Sequence, residues 1–61
     1  MPDRFLRLRE VQKLVPCSRS WIYLAVSRGE FPRPVKMGKR AVAWREASIE
    51  KWMAERLEAR Q

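Results

Sequence analysis

Histidine is absent from this 61-residue sequence, and cysteine occurs once, at Cys17. Without an imidazole the commonest general base is missing, and a lone thiol completes neither an internal disulfide nor a zinc set. Glycine occurs only twice, so no glycine-rich loop cradles a phosphate. No apolar run approaches the roughly 20 residues that cross a bilayer. Carboxylates are scarce, seven acidic residues against 14 basic ones. These absences point away from an enzyme, from a metal or cofactor, and from a membrane span. A free thiol and the lack of a secretory leader lead us to expect a reducing, cytoplasmic setting.

What is present is positive charge, unevenly placed. The net charge is +7, and residues 1–45 carry 11 basic side chains against 3 acidic ones, whereas residues 46–61 carry 3 against 4. The whole excess therefore precedes the last segment. A basic face of this kind suits a polyanion, nucleic acid above all. Solubility is the alternative reading of charge taken alone. The length predicts one small domain, 1–61, which buries only about 60% of the surface of its unfolded chain and has little room for a catalytic cleft beside its core.

No repeat or low-complexity tract interrupts the chain. Residues 1–5 read as a frayed start, and Leu6 and Leu8 alternate with Arg7 and Arg9 as a short extended lead-in. The spacing predicts a helix over 9–14, with Val11, Leu14 and Val15 forming its apolar stripe; Pro16 ends it. Ser18 is a good N-cap for a second helix over 19–28, whose stripe is Ile22, Ala25 and Val26 and which Gly29 closes. Two short helices with a tight turn between them make a helix-turn-helix. Phe31-Pro32-Arg33-Pro34 is an extended connector, with Phe31 plugging the core. PVKM and RAVAW flank Gly38-Lys39, which suits a two-residue hairpin turn with Val35 facing Val42, a wing over 34–44. Ile49, Trp52, Met53 and Leu57 mark one packed face of a C-terminal helix over 46–60, with Trp44 and Trp52 read as core. Cys17 reads as a small buried turn residue. The fold class is mostly α with a small β-hairpin: helix-turn-helix, wing, C-terminal helix, a winged helix-turn-helix.

The second helix carries more surface than one buried stripe needs. In helix-turn-helix proteins the second helix lies in the major groove and its N-terminal residues reach base edges. Counting from the Ser18 cap, Ile22 faces the core while Arg19, Ser20 and Leu24 face out. Arginine grips guanine bidentately, serine bonds to either kind of base, and leucine can meet a thymine methyl. Ser18, Tyr23, Arg28 and Lys36 flank that face as backbone contacts, and the helix N-terminus adds a phosphate site. Lys39 and Arg40, at the wing tip, reach adjacent phosphates or a narrow minor groove. Trp21 is left open, as a residue packed against the wing or last helix or as an exposed one. If exposed, Trp21, Tyr23 and Leu24 suit an apolar protein-binding hot spot instead.

The segments LRLREV (Leu6–Val11), SRSWIY (Ser18–Tyr23), SRGEFPRPVKMGKRAVAW (Ser27–Trp44) and WREASIEKWMAERLEAR (Trp44–Arg60) cover nearly the whole chain. In these it resembles the AlpA family of prophage regulators, within the larger group of MerR-like and excisionase-type winged helix-turn-helix domains. The stretch RGEFPRPVK followed by GKRAVAWRE carries the most specific part of the likeness. The resemblance implies binding of double-stranded DNA through the helix after Ser18, with the wing as a second contact, in the bacterial cytoplasm at the nucleoid. It further implies control of integrase or excision genes of a mobile element. The alternative is an excisionase-type architectural role beside an integrase or recombinase. A third reading is a protein-interaction module such as an anti-repressor. Family members usually carry a small polar residue where Trp21 stands and often a basic one where Leu24 stands. An exposed Trp21–Leu24 pair would favour a homodimer or cooperative assembly on DNA.

Overall fold

The computed structural model describes residues 3–59. Its elements run β1 (Phe5–Leu6), α1 (Leu8–Leu14), α2 (Arg19–Ser27), β2 (Val35–Lys36), β3 (Val42–Arg45) and α3 (Glu46–Ala59). Three helices and a small antiparallel sheet give the winged helix-turn-helix arrangement expected from the sequence. The last turn expected for the C-terminal helix, at Arg60, lies outside the described residues.

Of the residues 1–5 expected as a frayed start, 3–5 are tied down, and the extended lead-in expected at Leu6 begins at Phe5. Phe5 pairs with Arg45 and Leu6 with Trp44, so β3 is the central strand of a sheet ordered β1-β3-β2. Ala43 and Trp44, on opposite faces of β3, are both buried. The ordering force on β1 is non-local. Arg4 accepts the Glu46 N–H at 2.8 Å through its carbonyl. The Asp3 carboxylate accepts the Ala47 N–H at 2.9 Å and the Arg45 Nε–H at 2.6 Å. Asp3 thus does for the first turn of α3 what an N-cap side chain does, from the far end of the chain. These bonds hold its carboxyl below the ordinary carboxylate range, the Ala47 N–H contributing most and Arg45 next.

Helix α1 opens at Leu8, one residue before its expected start. Glu10 accepts the Arg7 backbone N–H at 3.0 Å, and the Arg7 carbonyl accepts from Glu10 and Val11, which makes Arg7 the cap residue. Val15 is extended (φ −122°, ψ 93°), as a residue before proline prefers. Ser18 Oγ accepts the Trp21 N–H at 3.1 Å and starts α2. Arg28 is the C-cap rather than the last helical residue. Beyond it Gly29 takes φ +73°, its N–H bonding to Val26 and that of Glu30 to Ala25, a Schellman closure.

The hairpin is one residue out of the expected register. Val35 pairs with Ala43 and Lys36 with Val42. The Met37 N–H donates to Ala41 at 2.7 Å, so the loop is Gly38-Lys39-Arg40, three residues rather than two. Two-residue hairpin turns need positive φ at their first central residue, and Gly38 does not adopt it. A one-residue slip exchanges faces. Val35 accordingly shares a face with Ala43 rather than with Val42, and stands 39% exposed beyond it.

The core joins Leu6, Val11, Val15, Ile22, Ala25, Phe31, Trp44 and Ile49, with Cys17, Val42, Trp52 and Met53 partly buried against them. Two residues expected on packed stripes stand outside it: Leu14 is 45% exposed and Leu57 65%. Leu14 ends α1 and Leu57 lies near the end of α3, and both line an open concavity with Val15, Trp21, Trp52 and Met53. The prolines leave carbonyls on the connector with no ladder to join, and indoles serve them instead. Trp44 Nε1–H donates to Pro32 and Trp52 Nε1–H to Glu30, each at 2.8 Å. Trp21 packs edge-on against Phe31 (6.2 Å) and Trp52 (6.4 Å), towards the last helix rather than the wing.

Candidate nucleic-acid interface

Burial of Ile22 and Ala25 fixes the rotation of α2 and turns Arg19, Ser20, Tyr23, Leu24 and Ser27 to solvent. Of these, Ser27 donates its hydroxyl to the Leu24 carbonyl at 2.7 Å and is committed to its own helix. Ser18 is likewise committed, as the cap. Ser20 and Leu24 make no side-chain hydrogen bond or ion pair among the described residues. Arg28 lies just past the C-terminal end of α2, about two turns from Arg19.

Tyr23 ties this face to the core. Its ring leans on buried Trp44 (6.0 Å between centroids, 59° tilt) and carries the Arg19 guanidinium 5.6 Å from its centre. The two are one helical turn apart, so the contact is a local i, i+4 pairing. It holds a long cationic side chain in place without neutralising it.

One concavity of about 420 Å³ connects the expected site residues. It is lined by Arg19 and Tyr23 of α2, Arg40 of the hairpin loop, Val42 of β3, and Arg7, Leu8 and Arg9 from the start of α1. Arg19, Tyr23 and Arg40 are therefore brought together. Ser20, Leu24, Arg28, Lys36 and Lys39 are exposed but stand outside this concavity. No carboxylate lines it. Among the described residues the ion pairs are Arg4–Glu10, Arg4–Glu46 and Arg45–Asp3, and none includes Arg7, Arg9, Arg19 or Arg40.

Arg7 and Arg9 are the residues that reading along the sequence passes over. Read as an extended lead-in, LRLRE puts its arginines in alternation with no fixed neighbour. The available signal is the Arg7–Glu10 spacing, which sets the start of α1 at Leu8 and places both arginines around its first turn. Among the described residues no cluster of side chains has the makings of a metal site, and no helix is long and apolar enough to cross a membrane.

The family described as prophage CP4-57 regulatory protein (AlpA) matches residues 4–57. A protein of Enterobacteria phage P4, named uncharacterized protein ORF88, is 45% identical over 58 residues, which is 95% of this chain and 66% of that protein. The chain thus spans just under two thirds of that relative's length. With a family pattern running from β1 to the last turns of α3, through both helices of the helix-turn-helix and the hairpin, this chain belongs to the AlpA family of prophage regulatory proteins.

Proposed function

We propose that this protein is a sequence-specific regulator of a prophage or related mobile element that binds double-stranded DNA, with α2 in the major groove and the hairpin loop beside it. The observation that carries the reading is the exposed face of α2, set next to the basic hairpin loop across a shared concavity. Arg19, Ser20 and Leu24 are the base-reading set. Ser18, Tyr23, Arg28 and Lys36 flank them, and Lys39 and Arg40 reach the adjacent backbone or the minor groove. Family membership supports the same class of function.

Affinity selection on sheared genomic DNA from the source at near-physiological salt, followed by sequencing, tests this. A shared short motif is the expected result, and retention without any motif overturns sequence reading. Within that motif, Arg19→Ala is expected to weaken binding by about 1–3 kcal/mol and to relax selectivity at one base pair. Undiminished affinity of Arg19→Ala for the best site removes Arg19 from the base-reading set.

An excisionase-type architectural factor, acting in several copies beside an integrase, uses the same surface. Beside base-reading Arg19 the concavity adds Arg7, Arg9 and Arg40, and that backbone-directed charge supports this second reading. Tandem sites at an attachment locus distinguish it from a regulator bound at a promoter.

A further inference from the structure

We infer that the concavity between α1, α2 and the hairpin loop is a clamp for DNA backbone phosphates, in which Arg7 and Arg9 of α1 are binding residues in their own right. The inference rests on the DNA-binding reading above and extends it to residues outside the second helix and the wing.

Four arginines, Arg7, Arg9, Arg19 and Arg40, line one space. Among the described residues the lining holds no carboxylate and none of the four is ion-paired. The nearest acid in sequence, Glu10, is already engaged with the Arg7 backbone N–H and lies 3.8 Å from Arg4. Like charges gathered without a partner are stabilised by an anion, and planar guanidinium forks match phosphate oxygens. The walls give the site a fixed shape. Arg7 is held by backbone bonds as the cap of α1. Arg19 lies over Tyr23, whose ring rests on Trp44. Leu8 and Val42, both packed against the core, complete the lining. A strand of DNA leaving the groove read by α2 towards the hairpin loop passes across this space. The clamp therefore sets the angle between the two contacts, and its Arg7, Arg9 and Arg40 members carry no sequence information.

The test is binding of the whole chain to a duplex carrying the selected motif and to an unrelated duplex, titrated across salt. The variants are Arg7→Gln/Arg9→Gln and, as a control that removes charge from α3, Lys51→Gln. Loss of two phosphate contacts lowers the slope of log affinity against log salt by about 1.8, and affinity for both duplexes roughly 30-fold at 0.15 M salt. Lys51→Gln leaves the slope in place. Arg40→Gln, in the loop and outside every helix and strand, supplies an independent variant with half the expected change in slope. Equal slopes and affinities for the parent and both arginine variants overturn the clamp while leaving DNA binding by α2 intact. Failure of the parent itself to bind any duplex overturns the DNA-binding reading and the clamp with it. Inorganic pyrophosphate at constant ionic strength separates the two sources of phosphate. Saturable binding that Arg7→Gln/Arg9→Gln abolishes, with DNA affinity unchanged, assigns the site to a free phosphorylated ligand and overturns the backbone assignment.

Discussion

Trp44 links more of the molecule than any other residue. Its ring is fully buried, its N–H holds the Pro32 carbonyl, and its face supports the Tyr23 ring that carries Arg19. Replacing it removes core volume, a hydrogen bond and the support of the candidate interface together. Leu57, an aliphatic residue on the same expected stripe as Ile49, supports nothing comparable and stands 65% exposed. Thermal or denaturant unfolding should separate the two. Trp44→Ala is expected to cost about 3–5 kcal/mol, enough to unfold a domain of this size, while Leu57→Ala stays within about 0.5 kcal/mol. Helical spacing alone gives Leu57 and Ile49 the same standing. Only tertiary packing tells them apart, Ile49 joining the core cluster and Leu57 lining an open concavity. Trp21 shows the same limit, since its place against Phe31 and Trp52 depends on where the connector runs, and no local pattern encodes that.

At the scale of the element, α2 is the most completely written in the sequence. Ser18, the Ile22–Ala25–Val26 stripe and Gly29 each act within a few residues, so start, buried face and stop are all local chemistry. Gly29 is required for its backbone rather than for space. A Cβ there meets nothing within 4 Å, yet φ is +73°. Gly29→Ala is expected to lower stability by about 1–2 kcal/mol, the left-handed penalty of an L-residue, without repacking the core. Chemical denaturation checks the loss, and unchanged aromatic circular dichroism checks the packing. A cost near zero would mean that α2 unwinds its last turn instead of holding it. The hairpin was less legible, because a two- or three-residue loop alters the register by one while the same residues flank it. The backbone of Gly38 decides between them, and glycine permits either.

For the molecule as a whole, the sheet closes by joining the start of the described chain to β3 and the first turn of α3. The Asp3 carboxylate bridges β1 to the first turn of α3 through Arg45 and Ala47. Its proton affinity is lowered by folding, so its contribution is fully present above the ordinary carboxylate range and is lost as pH falls through that range towards its own lower value. Comparing thermal midpoints of the parent and Asp3→Asn at pH 6 and at pH 3 or below checks this. The gap between them is expected to narrow on acidification. A gap that stays constant would mean the ionised carboxylate contributes nothing through these bonds.

The division of positive and negative charge along the chain, α2 with its Ser18 cap and Gly29 closure, the plugging Phe31 and the exposed face of α2 follow from composition and short-range pattern. They involve residues within one or two turns of each other, and the sequence by itself determined them. The third strand, the cap that Asp3 supplies to α3, the indole bonds to the connector and the meeting of Arg7 and Arg9 with Arg19 and Arg40 bring together residues 10 to 44 positions apart. Such partners leave no periodic trace in a sequence. Two residues of strand are too few to show an alternation, and an arginine has no preferred neighbour until the chain folds around it. The tertiary structure decided these, because burial of one shared core fixes which distant surfaces meet.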